Sequence, residues 1–116
     1  MARILLVALL SLSIVACGRQ PSPENGRNLA VLNGCTACHS TDGAKKLAPT
    51  WQGLYGSEVT LANGSTLTAD ETYLVESIAN PAAKIVMGYT EGAMPPFDFT
   101  EDEIADIVAY IKSLTP

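Results

Sequence analysis

Cys35-Thr36-Ala37-Cys38-His39 set two thiols and one imidazole side by side in the chain. On a helical turn, residues three apart share a face, so both thiols can reach one edge of a flat ligand. The vinyl groups of a porphyrin suit that spacing, and the next residue then lies beneath the iron as an axial donor. The pattern reads as the attachment site of one c-type haem, covalent through Cys35 and Cys38, with His39 as proximal ligand. Two other chemistries share part of it. A zinc site takes about four ligands, and Cys17 is the one remaining cysteine. A thioredoxin-like dithiol belongs in a βαβ setting, a pattern this chain does not show.

The opposite side of the iron needs its own donor. His39 is the single histidine, which excludes a second imidazole from this chain. Thioether sulfur suits iron in both oxidation states and raises its reduction potential. Past the initiator, Met87 and Met94 are available. Met94 lies in Gly92-Ala93-Met94-Pro95-Pro96-Phe97, where two prolines stiffen the loop, and preorganisation favours it as the ligand. Met87 lies in the apolar run Ile85-Val86-Met87, where core filling is the ordinary role of methionine.

These residues need elements to hold them. Helical character begins near Glu24 or Asn25, with Leu29, Leu32 and the Gly26–Ala30 pair as an apolar face, and Gly34 breaks it before Cys35. Residues 40–56 read as loop, punctuated by Gly43, Pro49, Gly53 and Gly56. Val59-Thr60-Leu61 and Ser65-Thr66-Leu67 flank Asn63-Gly64, a strong two-residue hairpin signal. Thr68-Ala69-Asp70-Glu71 has the form of a capping box and predicts a helix from about Ala69, with Tyr73, Leu74 and Ile78 buried and Pro81 beyond its end. Thr100-Glu101-Asp102-Glu103 is a second such box. After it, Ile104, Ile107, Val108, Ile111 and Leu114 form an amphipathic stripe. The acidic residues Glu101, Asp102, Glu103 and Asp106 complement the start of that helix.

The N-terminus carries a different message. Met1-Ala2-Arg3 precedes a thirteen-residue apolar run, residues 4–16. Spanning a bilayer takes about 20 residues, so the run reads as a signal peptide, residues 1–16. Ile14-Val15-Ala16-Cys17 resembles the lipobox of bacterial lipoproteins, which implies lipidation at Cys17 and anchorage on the non-cytoplasmic side of a bacterial membrane. Residues 17–25, with Pro21 and Pro23, read as a flexible tether, leaving residues 26–116 as the folded domain. The chain has 116 residues and a formal charge of −5. That charge argues against nucleic acid as a partner. Few aromatics in so small a domain leave a thin core, which a rigid apolar cofactor would fill.

From about Asn25 to Leu114 the chain resembles the class I cytochromes c, and in particular the cytochrome c domain fused to subunit II of caa3-type haem–copper oxidases. The carrying segments are Gly34 to Ser40, Ala48-Pro49-Thr50-Trp51-Gln52-Gly53-Leu54-Tyr55-Gly56-Ser57, the Asn63-Gly64 hairpin, Asn80-Pro81-Ala82-Ala83-Lys84-Ile85-Val86, Met94-Pro95-Pro96-Phe97 and Val108 to Leu114. The resemblance implies an all-α fold, three to four helices around one covalent haem, with a small β-hairpin insertion near residues 58–68. It gives Pro49 the role of holding the His39 imidazole through its carbonyl. Trp51 and Leu54 match haem-packing positions on the histidine side, and Leu74 and Ile78 match apolar wall positions. Gly26 and Tyr110 match the close crossing of first and last helices. Ala30 stands where the family usually has an aromatic residue.

The function expected is one-electron transfer rather than catalysis. The partners would be redox proteins, a quinol-oxidising complex and a terminal oxidase, with no small-molecule substrate. A fixed subunit of a respiratory complex is the alternative. A peroxidase or gas sensor would need an open iron position and a distal acid–base group, and the one histidine is already used. Lys45 and Lys46 read first as solvated loop residues and second as a greeting for an acidic partner.

Overall fold

A computed structural model describes residues 18–116. The predicted signal peptide and Cys17 lie outside the described residues. Four helices, α1 (Pro23–Leu32), α2 (Cys35–Cys38), α3 (Glu71–Ala79) and α4 (Glu101–Ser113), enclose one core together with a hairpin of β1 (Glu58–Thr60) and β2 (Thr66–Thr68). None of the described helices is long and apolar enough to cross a membrane.

α1 and α4 cross where α1 has no side chain. A Cβ on Gly26 would stand 1.9 Å from the Asp106 carbonyl oxygen, so only glycine allows this approach. Ala30, one turn on, is fully buried, so the small residue lets the helices meet closely. Leu32 was expected on this face but is 82% exposed. It lies about 120° around the helix from Gly26 and off the Gly26–Leu29–Ala30 stripe. α4 buries Ile104, Ile107, Val108 and Ile111, as its stripe predicts. Thr100 and Glu103 form the expected capping box.

α3 begins later than the sequence pattern suggests. Its N-cap is Asp70, whose side chain accepts from the Tyr73 N–H, and not Thr68. Thr68 is paired with Glu58 in the hairpin, and the Ala69 N–H donates to the Ser57 carbonyl. Strand pairing takes the residues that the capping box would have used. The hairpin turn also differs from a two-residue loop. Leu61 N–H donates to Ser65 O, and Gly64 alone has positive φ, at 84°. A type I′ turn needs positive φ at both central residues, so Asn63-Gly64 closes a three-residue loop instead.

The segment expected as a free tether is fastened. Helix α1 starts at Pro23, capped by Ser22. Arg19 Nη2 reaches Asp106 Oδ2 at 2.5 Å, and the Ser22 N–H donates to Asp106 Oδ1 at 2.7 Å. The ordered domain therefore begins at Arg19 rather than Gly26. Burial alone would push the Asp106 carboxyl up; the contacts with Arg19, Ser22 and Asn25 outweigh it and hold it below its ordinary value. A carboxyl lowered on folding contributes stability above its unfolded pKa of about 3.9 and loses it as pH falls through the folded value. Wild type and Asp106→Asn should therefore differ in denaturation midpoint at neutral pH and converge below pH ~4. A gap that persists unchanged in strong acid would show that the carboxylate is not its source.

Candidate functional site

α2 is one short turn, entered through Gly34 in the left-handed region (φ 77°), which turns the chain sharply after α1. Cys35 and Cys38 occupy its ends, both half-buried and free of any disulfide. Cys35 packs against the core. Burial pushes the Cys35 thiol up, with a backbone hydrogen bond opposing it in part. An activated redox dithiol needs the reverse shift. Among the described residues no three of His, Cys, Asp and Glu cluster as a metal site.

His39 follows α2 in extended backbone, φ −90° and ψ 117°. Its Nδ1 lies 2.7 Å from the Pro49 carbonyl oxygen. A carbonyl only accepts, so Nδ1 carries the proton and Nε2 is left with a lone pair for coordination. Burial pushes the imidazole pKa down, and the Pro49 bond partly offsets this. The neutral form that binds metal is therefore favoured.

The loop after His39 exists to bring Pro49 back. Ser40, 2% exposed, is its hub: its hydroxyl donates to Ala44 O at 2.6 Å, and its carbonyl accepts from Trp51 N–H at 2.8 Å and Thr50 Oγ1 at 3.2 Å. Trp51 stacks on the His39 ring, centroids 5.0 Å apart at 22°, and Tyr110 of α4 meets Trp51 edge-on at 6.2 Å. The last helix thus braces the imidazole through two aromatic rings. Nothing in the sequence alone gives Ser40 this role. A small polar residue directly after the histidine was the only signal for it.

Apolar walls complete the site. Leu54 packs on the core from the loop side, and Leu74 and Ile78 are buried on α3. Pro49 and Leu54 line a cleft of about 470 Å³ with Val59, Val86 and Met87. Met87 is 52% exposed, so the core-filling role expected for it does not hold. Leu61 and Val86 form an isolated bridge, and the Met87 N–H donates to Thr60 O. Side chains alternate along such an extended pair, so Val86 turns in and Met87 turns out. Met94 is half-buried in the loop that follows, just after the turn closed by Ala93 N–H to Thr90 O.

The family model of cytochrome c matches residues 23–115, which is most of the chain. The chain belongs to the cytochrome c family. In fold it is similar to cytochrome cH from Methylobacterium extorquens, at 24% identity and a TM-score of 0.61, over 79% of this chain and 98% of that one. It is likewise similar to ferricytochrome c2 from Rhodopseudomonas palustris, at 18% identity and a TM-score of 0.58, over 80% and 98%. No curated protein matches it in sequence.

This cytochrome c carries one covalent c-type haem at the Cys35–Cys38 pair and is a monohaem electron carrier. The residues fit that group: two thiols on one turn, a neutral imidazole with one nitrogen already held, and an apolar core against which Cys35 packs. A haem held in this way supplies a one-electron redox couple. The chain's own part is to hold the donors still. The carbonyl of Pro49 fixes the rotation of the His39 ring and raises its donor strength, and Trp51 blocks one of its faces.

Proposed function

We propose that this protein is a lipid-anchored respiratory cytochrome c, passing single electrons from a quinol-oxidising complex to a terminal oxidase. His39 and Met94 are its axial ligands, and Cys17 its lipidation site on the non-cytoplasmic side of a bacterial membrane. On this reading it resembles the cytochrome c domain of caa3-type oxidase subunit II and is held at the membrane by a lipid. The observation that carries the electron-transfer role is the His39–Pro49 hydrogen bond immediately beside the paired cysteines.

The rim of the motif supports contact with another protein. Leu32 is 82% and Leu47 79% exposed, on either side of the motif in sequence. Lys46 Nζ donates to the Thr36 carbonyl at 3.1 Å, and the Ala48 N–H to the Cys38 carbonyl at 3.2 Å. Lys46 thus reaches back to α2 while remaining exposed. Apolar residues beside cations suit a partner surface that is acidic around an apolar centre. Pull-down in mild detergent tests the role. Weak capture of an oxidase and a quinol-oxidising complex supports the shuttle, stoichiometric recovery within one complex supports a fixed subunit, and capture of neither sinks the respiratory reading.

Met94→Ala should keep the covalent haem, lower the reduction potential and admit cyanide or carbon monoxide to the iron. Redox titration and ligand-binding spectra read both effects. If Met87→Ala behaves in this way and Met94→Ala does not, the ligand assignment is wrong.

A further inference from the structure

Asp106 is a carboxylate that electron transfer does not use. It is 2% exposed at the α1/α4 crossing, past the first turn of α4, where the helix dipole no longer favours an acid. A buried charge needs partners, and those it has among the described residues, Arg19 and the Ser22 N–H, come from the N-terminal segment. Arg19 is only two positions beyond Cys17.

We propose that Asp106 is a latch that seats the exit of the N-terminal segment on α4, so that the domain meets a lipid surface through a short, fixed stalk instead of a free leash. The proposal rests on the lipidation of Cys17. Two residue steps separate Cys17 from Arg19, a reach of about 7 Å; five steps separate it from Ser22, about 17 Å. Releasing Arg19 therefore adds about 10 Å of free chain. The stalk has a physical task. The domain is acidic and is repelled by anionic headgroups, so attraction to the surface does not hold it down. The latch also fixes what lies far from the lipid. It seats the N-terminal end of α1, whereas the cysteine turn follows the other end, and ten helical residues span about 15 Å. The cysteine turn is held one helix length from the seating point.

The test uses the full lipidated holoprotein on phosphatidylglycerol vesicles containing a headgroup-labelled fluorescent lipid, which the haem quenches by energy transfer. For the wild type, quenching should be the same at about 10 mM and about 1 M salt, where the Debye length falls from about 30 to 3 Å. For Arg19→Gln and Asp106→Asn, repulsion should lift the freed domain. Quenching at low salt should then fall by roughly half and recover at high salt. The two substitutions change the net charge in opposite directions, so a shared response isolates the latch from charge. Arg19→Gln leaves Asp106 its Ser22 N–H bond, and the double variant Arg19→Gln/Asp106→Asn, which leaves no unpaired buried charge, should lift the domain in the same way. Variants that quench like the wild type at both salts, or a wild type as salt-sensitive as they are, overturn the latch. A wild type that does not float with the vesicles overturns the lipid reading, and the stalk with it.

Discussion

His39→Ala is expected to leave no stable haem-bearing protein. The imidazole links three parts of the site: the cysteine turn that precedes it, the Pro49 loop and the aromatic brace from α4. Its removal takes the proximal donor away and leaves the Pro49 carbonyl without its partner, at a cost of about 1–3 kcal/mol if water cannot replace it. It also empties the space against which Trp51 stacks. Loss of an outer-shell partner of a metal-bound histidine costs about 10–100-fold in affinity, and loss of the donor itself costs more. Haem-stained denaturing gels of the wild type and the variant, matched by immunoblot for total protein, should show at least a tenfold fall in stain. Staining equal to the wild type, with an unchanged visible spectrum of the native protein, would remove His39 from the site.

The chemistry was legible in the sequence because its signals are local. Cys35, Cys38 and His39 fall within one turn, and Thr100 and Glu103 cap α4 from within four residues. The amphipathic stripe of α4 needs nothing beyond its own period. Two misreadings involve a contact made at a distance. Thr68 reads as a cap until its pairing with Glu58 is known. Met87 reads as core until Val86 bridges Leu61 and sets which side chain turns inward.

Asp106 is the instructive case. In sequence it extends an acidic helix start and looks solvated. In the fold, a partner eighty-seven positions away makes it a buried ion pair. Its position offered one clue, since an acid in the second turn of a helix gains little from the dipole. The supposed tether failed for the same reason. Two prolines and polar residues describe a flexible segment, but Arg19 and Ser22 find their partner on the last helix. Composition reports what a segment can do alone, and here tertiary contact overrides it.

Gly26 sets local propensity and tertiary packing directly against one another. Glycine inside a helix is about 1 kcal/mol less favourable than alanine, so propensity alone predicts that Gly26→Ala stabilises the protein. The crossing predicts the reverse. The added Cβ would lie 1.9 Å from the Asp106 carbonyl oxygen, 2.4 Å from its carbonyl carbon and 2.9 Å from the Ile107 nitrogen. All three are backbone atoms of α4, and no rotamer change relieves the clash. The helices must separate, loosening Ala30, Ile107 and the Asp106 contacts together. Overpacking against movable side chains costs about 1–3 kcal/mol, and immovable backbone sets the cost at the top of that range or above. For a small domain with ~5 kcal/mol in reserve, Gly26→Ala should remove about half of the stability and Gly26→Val should prevent folding. Urea unfolding of the holoprotein, followed by far-ultraviolet circular dichroism, measures the first, and the yield of haem-stained protein the second. The sign for alanine is decisive, because a stabilised Gly26→Ala protein would mean that the helices do not cross as closely as the structure has them.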